Sequence, residues 1–302
     1  MKQENIKMTK TAFIAIVGKP NVSKSSILNK VLGQKIAIVS DKPQTTRTRI
    51  MGVLTRGETQ LVFTDTPGFH KPKTKLGEKM IKAVGDSISG VDACLFVVEP
   101  TGELTESELE LIEKIKKSKI PCILAINKID TVSEKTELIG RIAELSELLS
   151  FVALIPVSAV KNDGIDILVD EMEKLAFPSE HFFPEDTLTD QPERVLASEI
   201  IREKMLRLLD KEIPHGVAVS IEKMRERSDR DLMDVEAIIY CEKESHKGII
   251  IGKKGATLKR ISTYARQDME KFFSCQVNLQ CWVKVKEDWR NREGLIHNFG
   301  VD

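Results

Sequence analysis

The chain has no apolar run long enough to cross a bilayer. Its longest runs, such as 94–98 and 121–126, are a handful of residues, against the roughly 20 a spanning helix needs. Met1-Lys2-Gln3-Glu4 has no apolar core after its lysine, so no signal peptide is expected. The five cysteines (Cys94, Cys122, Cys241, Cys275, Cys281) are odd in number and show no CxxC spacing. Reduced, mostly buried thiols in a cytosolic protein are therefore expected. Net charge is absent too, with 46 basic and 46 acidic residues in 302. The whole chain is therefore no polycation.

What is present is ordinary soluble-protein composition, 41% hydrophobic and 30% charged. That excludes a disordered, collagenous or low-complexity chain. The length suits two domains. The charge is uneven: residues 247–302 hold 11 basic against 6 acidic residues, a local +5. A basic end on a neutral chain suits a local anionic partner.

Five short apolar runs, 12–17, 60–64, 93–98, 121–126 and 152–157, lack in-out alternation. Strands buried on both faces read this way. Helix-like stretches lie between or after them, at 24–32, 77–89, 107–117, 137–149 and 165–175. The alternation predicts a mostly parallel α/β sheet of six strands, helices on both faces, with 50–54 and 60–63 as an edge hairpin turning at Gly57. Residues 178–192, with Pro178, Pro184 and Pro192, read as a linker between a first domain (1–177) and a second (193–302). The second reads α-β-β-α-α-β. Its last strand turns Val277, Leu279, Cys281, Val283 and Val285 one way and Asn278, Gln280, Trp282, Lys284 and Lys286 the other.

Four motifs follow strands, at the sheet edge where open α/β folds bind ligands. Gly18-Lys19-Pro20-Asn21-Val22-Ser23-Lys24-Ser25, leading into Ser26, has the P-loop frame G-x-x-x-x-G-K-[ST] with Ser23 in place of the second glycine. Such a loop aims backbone N–H groups at a polyphosphate; Lys24 would reach the β- and γ-phosphates and Ser25 would ligate Mg²⁺. Asp65-Thr66-Pro67-Gly68 offers a carboxylate to Mg²⁺ through water and the Gly68 N–H to the γ-phosphate. In Asn127-Lys128-Ile129-Asp130 the last carboxylate would accept two N–H bonds from guanine, a contact adenine cannot supply. This pattern arises by chance in about one chain in twenty-five. Ser158-Ala159 would place a backbone N–H near the guanine O6. The NKID carboxylate disfavours a third reading, an ATP-dependent P-loop enzyme.

Through these motifs the chain resembles the translation-factor-related GTPases. Pro43-Gln44-Thr45-Thr46-Arg47 resembles the first switch of the Era family, where the resemblance places a second Mg²⁺-ligating threonine at Thr46, with Thr45 the alternative. The second domain resembles a type II KH domain through its element order and Gly252-Lys253-Lys254-Gly255, preceded by Ile251. There, two glycines let the backbone approach RNA phosphates, two lysines add charge, and an apolar groove takes splayed bases. The stretch 282–290 resembles the family's closing strand.

The resemblance implies a GTP-gated, Mg²⁺-dependent factor of small-subunit ribosome assembly. It would be a monomer that binds the 3′ end of small-subunit ribosomal RNA and the small subunit itself, cytoplasmic with peripheral contact to the inner face of the membrane. GTP would order 41–49 and 69–76 and so govern how the KH domain meets RNA. Phe69 stands where many small GTPases carry a catalytic glutamine. A slow GTPase is therefore expected, leaning on loop backbone, Mg²⁺ and K⁺ beside Asn21. His70 is expected to be a switch residue rather than a general base. Ser23 is the serious departure. A residue with a Cβ at positive φ costs about 1–2 kcal/mol, and a lost phosphate contact about 1.5–3. Together, about 2.5–5 kcal/mol would weaken nucleotide binding by tens to thousands of fold. The rival reading is an RNA-binding assembly module whose pocket is impaired at Ser23.

Overall fold

The computed structural model describes residues 8–42, 45–69, 72, 74–210 and 213–299. The described chain divides into two compact units, the first ending at Asp190 and the second beginning at Gln191. The described residues 38–42, 45, 72 and 74–79 cluster with the second unit.

The first unit is a sheet whose main path runs β2 (Ile50–Arg56), β3 (Thr59–Asp65), β1 (Lys10–Val17), β4 (Ala93–Val98), β5 (Cys122–Asn127) and β6 (Ala153–Val157). Only β2 in this path is antiparallel, paired with β3 around Gly57. Strands β4 and β5 are buried at every position, as their unbroken Val/Ile/Leu runs require. One face packs on α2 (Lys75–Ile88), α3 (Glu106–Ser118) and α4 (Lys135–Ser146), through Val84, Leu111, Ile115 and Leu145. Helices α1 (Lys24–Leu32) and α5 (Ile165–Glu173) contact each other and the strands β2, β3 and β6. The observed sheet gains a seventh, two-residue strand, β7 (Phe177–Pro178), antiparallel to β1.

That strand begins a correction to the expected linker. Residues 178–190 are not a free tether. The fully buried amide of Gln60 accepts from the N–H groups of Phe182 and Phe183 and donates to the Phe183 carbonyl. Val53 N–H donates to the Leu188 carbonyl at 2.9 Å, and Phe13 meets Phe182 edge-on. A buried carboxamide needs partners, and this stretch supplies them.

The second unit orders α6 (Glu193–Leu208), β8 (Ala218–Glu226), β9 (Leu232–Cys241), α7 (Glu244–Ile251), α8 (Ala256–Phe273), β10 (Gln276–Val285) and α9 (Glu293–Asn298). Its sheet runs β10-β9-β8, with β9 parallel to β10 and antiparallel to β8. Strand β10 alternates as its sequence demands, Val277 buried and Trp282 exposed. The strand stops at Val285, so 286–290 do not continue it. Trp289 is instead fully buried, its indole N–H donating to the Gly216 carbonyl at 2.9 Å and its ring meeting Phe299 edge-on. Within this unit the Val39 N–H donates to Glu203, and Arg207 donates to the Val39 carbonyl. No helix among the described residues is long and apolar enough to cross a membrane.

Candidate functional site

The loop after β1 opens α1 through a left-handed residue. Ser23 sits at φ 70°, ψ 39°, and its hydroxyl makes no capping bond to the helix. Asn21 is also left-handed, at φ 67°. The loop approaches its surroundings closely: a Cβ on Gly18 would stand 2.4 Å from the Val97 carbonyl oxygen. The Lys24 ammonium is folded back onto the Gly18 and Lys19 carbonyls at 3.2 and 3.1 Å. Burial lowers its pKa to about 8, against the opposing pull of the Asp65 carboxylate.

Asp65 closes β3 and is fully buried. Burial raises its pKa, while Lys24, Ser25 and Thr46 act to lower it. Ser25 Oγ donates to Asp65 Oδ2 at 2.5 Å and lies 3.0 Å from Thr46 Oγ1. Thr46 Oγ1 is 3.4 Å from the same carboxylate oxygen. Asp65 Oδ1 is buried with no hydrogen-bond partner. Two hydroxyls and a half-satisfied carboxylate, beside a lysine, are a hard-oxygen set suited to Mg²⁺. Thr45 belongs to no such cluster; its hydroxyl donates to the Lys42 carbonyl at 2.6 Å. Pro43, Gln44 and His70, singled out in the sequence, lie outside the described residues.

Gly68 lies so close to the P-loop that a Cβ would stand 2.6 Å from Pro20 Cα. Phe69 donates its N–H to the Gly18 carbonyl at 3.1 Å, and its ring is buried under the Lys114 ammonium. A buried phenyl cannot orient a water, so catalysis by this side chain is excluded.

The base-side loops are tied to the P-loop. Asn127, 1% exposed, donates to the Val22 carbonyl at 2.8 Å and accepts from the Ala159 N–H at 3.1 Å. Ser158 Oγ holds one oxygen of exposed Asp130, leaving the second available. Lys128 is left-handed, at φ 70°, and its ammonium sits 2.6 Å from Glu99. Lys19 turns its ammonium to Glu99 and Glu108. Glu99 carries no motif, and only its place just beyond β4, on the ligand edge of the sheet, marks it in the sequence.

In the second unit α7 ends and α8 begins at the GKKG turn. Gly252 has φ 74°, and a Cβ there would strike Thr257 Oγ1 at 2.2 Å; Gly255 has φ 80°. Lys253 and Lys254 are exposed, Ile251 is half-buried and Ile249 is exposed. Two exposed cations stand at this turn, where the Gly255 N–H donates to the Gly252 carbonyl and the Ala256 N–H to the Lys253 carbonyl.

A model of the family described as 50S ribosome-binding GTPase matches residues 13–128, and one of the KH domain matches 212–290. The GTPase Era of Clostridioides difficile (strain 630) is 50% identical over 295 residues, 98% of this chain and 99% of that protein. This chain belongs to the Era family of GTPases. The Era protein of Ruminiclostridium cellulolyticum is 48% identical, covering 96% of this chain and 97% of that protein. Two solved Era structures superpose with TM-score 0.93 at 38% identity, each covering 97% of this chain and 99% of theirs. One is a variant of Aquifex aeolicus Era bound to GDP and AlF4⁻; the other is Era with MgGDPNP and nucleotides 1506–1542 of 16S ribosomal RNA. The Era family thus accounts for both units: a P-loop GTPase fold followed by a KH domain.

Proposed function

We propose that this GTPase is a nucleotide-gated factor of small-ribosomal-subunit assembly that holds the 3′ end of 16S-type ribosomal RNA on its KH unit during maturation. The observation that carries the reading is the convergence of Ser25, Thr46 and Asp65 beside a buried Lys24. In the proposed roles, the N–H groups of 18–26 cradle the phosphates and Lys24 leaves its carbonyl partners to meet them. Ser25, Thr46 and Asp65 would hold Mg²⁺, whose charge would offset that of the phosphates. Asn127 fixes the base pocket, Asp130 reads guanine, Lys128 packs beside the base, and the Ala159 N–H meets the guanine oxygen. With Phe69 buried, the attacking water depends on backbone groups, Gly68 among them, and turnover is slow. Asn21 is placed to hold K⁺ beside the phosphates, so K⁺ should stimulate hydrolysis over Na⁺.

Ile251, Gly252, Lys253, Lys254 and Gly255 are the proposed RNA contact. The solved relative carrying a 16S fragment supports the small subunit over the 50S particle named in the family description. A second reading, an assembly module with an impaired nucleotide pocket, is favoured by the left-handed Ser23. Filter binding with labelled GTP and with a 16S 3′ fragment decides. GTP and RNA binding together support the gated factor, and RNA binding alone supports the rival. Monomeric state and peripheral membrane contact rest on the family resemblance; sedimentation velocity and vesicle flotation test them.

A further inference from the structure

We propose that Glu99 is a positioning residue that straps the P-loop to the base-binding loop and slows nucleotide release. The proposal rests on the guanine-nucleotide reading above. Glu99 directly follows the last residue of β4. Each of its carboxylate oxygens takes a different lysine: Oε1 is 2.6 Å from Lys128 and Oε2 is 3.0 Å from Lys19. Lys19 is held from a second side by Glu108, 3.6 Å away and 1% exposed. Glu108 itself is fixed by Thr105, in the capping box that opens α3. The contact therefore reaches back into a rigid helix end rather than into a mobile surface pair.

Both lysines occupy positions where restraint matters. The Lys19 carbonyl accepts from the Lys24 ammonium at 3.1 Å, so fixing Lys19 fixes the carbonyl that parks the phosphate-binding lysine. Lys128 is held in a left-handed conformation that a non-glycine residue keeps only when its surroundings impose it. Apart from Glu99, the bond from Asn127 to the Val22 carbonyl also ties these two loops. The carboxylate is partly desolvated and draws on both ammonium groups, which hold its pKa below the usual range despite burial.

Charge alone makes the opposite forecast. Removing a carboxylate from the rim of a polyanion site should tighten nucleotide binding through weaker repulsion. The strap predicts that it loosens binding. The full-length protein is assayed with a fluorescent GDP, measuring the equilibrium constant and the dissociation rate. Glu99→Gln should release GDP about ten-fold faster, with the association rate changed less than three-fold. Glu99→Asp keeps the charge but is one methylene too short to serve both lysines, so it should be intermediate. In a Lys19→Met background the effect of Glu99→Gln should shrink to about three-fold, whereas a general structural role would leave it undiminished. Equal or slower release from Glu99→Gln in a protein that binds GDP overturns the strap alone. Absence of guanine-nucleotide binding by the unmodified chain overturns the nucleotide reading, and the strap with it.

Discussion

Replacing Ser23 by glycine separates strain from ligand contact. Ser23 holds φ 70°, ψ 39° without a capping bond from its hydroxyl, and such a conformation costs a non-glycine residue about 1–2 kcal/mol. That strain belongs to the fold and is read in unfolding. Glycine gives back about 0.5–1 kcal/mol through the freer unfolded chain. The net gain in stability is then about 1 kcal/mol, or about 2 °C in Tm for a chain of this size. Affinity reports the other part. A Cβ that keeps the backbone from a phosphate loses or lengthens one charge-assisted contact, about 1.5–3 kcal/mol. Ser23→Gly should therefore bind GTP about ten- to 150-fold more tightly by calorimetry. The roughly 2.5–5 kcal/mol expected from the sequence thus divides between two assays. Ser23→Ala keeps the Cβ and the strain, so it should match the parent within two-fold. Equal GTP affinities for the serine and glycine forms would refute the reasoning.

Asp130→Asn should reduce the preference for GTP over ATP at least ten-fold in competition binding, since the carboxylate that accepts two guanine N–H bonds is gone. Thr46→Ala should weaken the Mg²⁺ dependence of GTP binding about ten-fold, while Thr45→Ala, whose hydroxyl serves the Lys42 carbonyl, should change it less than three-fold. Replacing both Lys253 and Lys254 by alanine should weaken binding to a single-stranded 16S fragment and lower the salt slope by about 1.4, at about 0.7 per cation. The buried Lys24 titrates near 8 rather than 10.5. Between those values the unfolded chain binds more protons, so the cost of burying the charge is present in full below pH 8 and stability rises with pH across that window. GTP affinity should run the other way, falling above pH 8 with proton uptake on binding, seen as a buffer-dependent calorimetric heat.

The strands and the four loops of the first unit were legible because each carries a local signature. Unbroken Val/Ile/Leu runs are required only where both faces are covered, and the residues that close β1, β3, β5 and β6 are of the types that meet phosphate, metal and base. The Gly252 turn was legible for a similar reason, since a Cβ there collides with Thr257. What escaped reading is non-local. Nothing in 178–190 announces that Gln60, more than a hundred residues earlier, needs its backbone groups. A lone Glu99 has no pattern until the fold brings Lys19 and Lys128 to its two oxygens. Residues 286–290, read in sequence with the closing strand, lie beyond the last strand residue, Val285, and the Trp289 indole finds a carbonyl and a ring elsewhere.

That indole makes the tail a keystone. The strands of the second unit are complete at Val285, yet the carbonyl of Gly216 is met, and a full aromatic volume of the interior filled, by a residue four places further on. Arg290 then bolts the turn to Glu242, and Ile296 of α9 adds a last buried plug. A chain cut at the end of the sheet would keep every strand pairing and still forfeit about 3–5 kcal/mol at the Trp289 socket. The KH unit is therefore finished by residues that belong to neither its sheet nor its lysine turn.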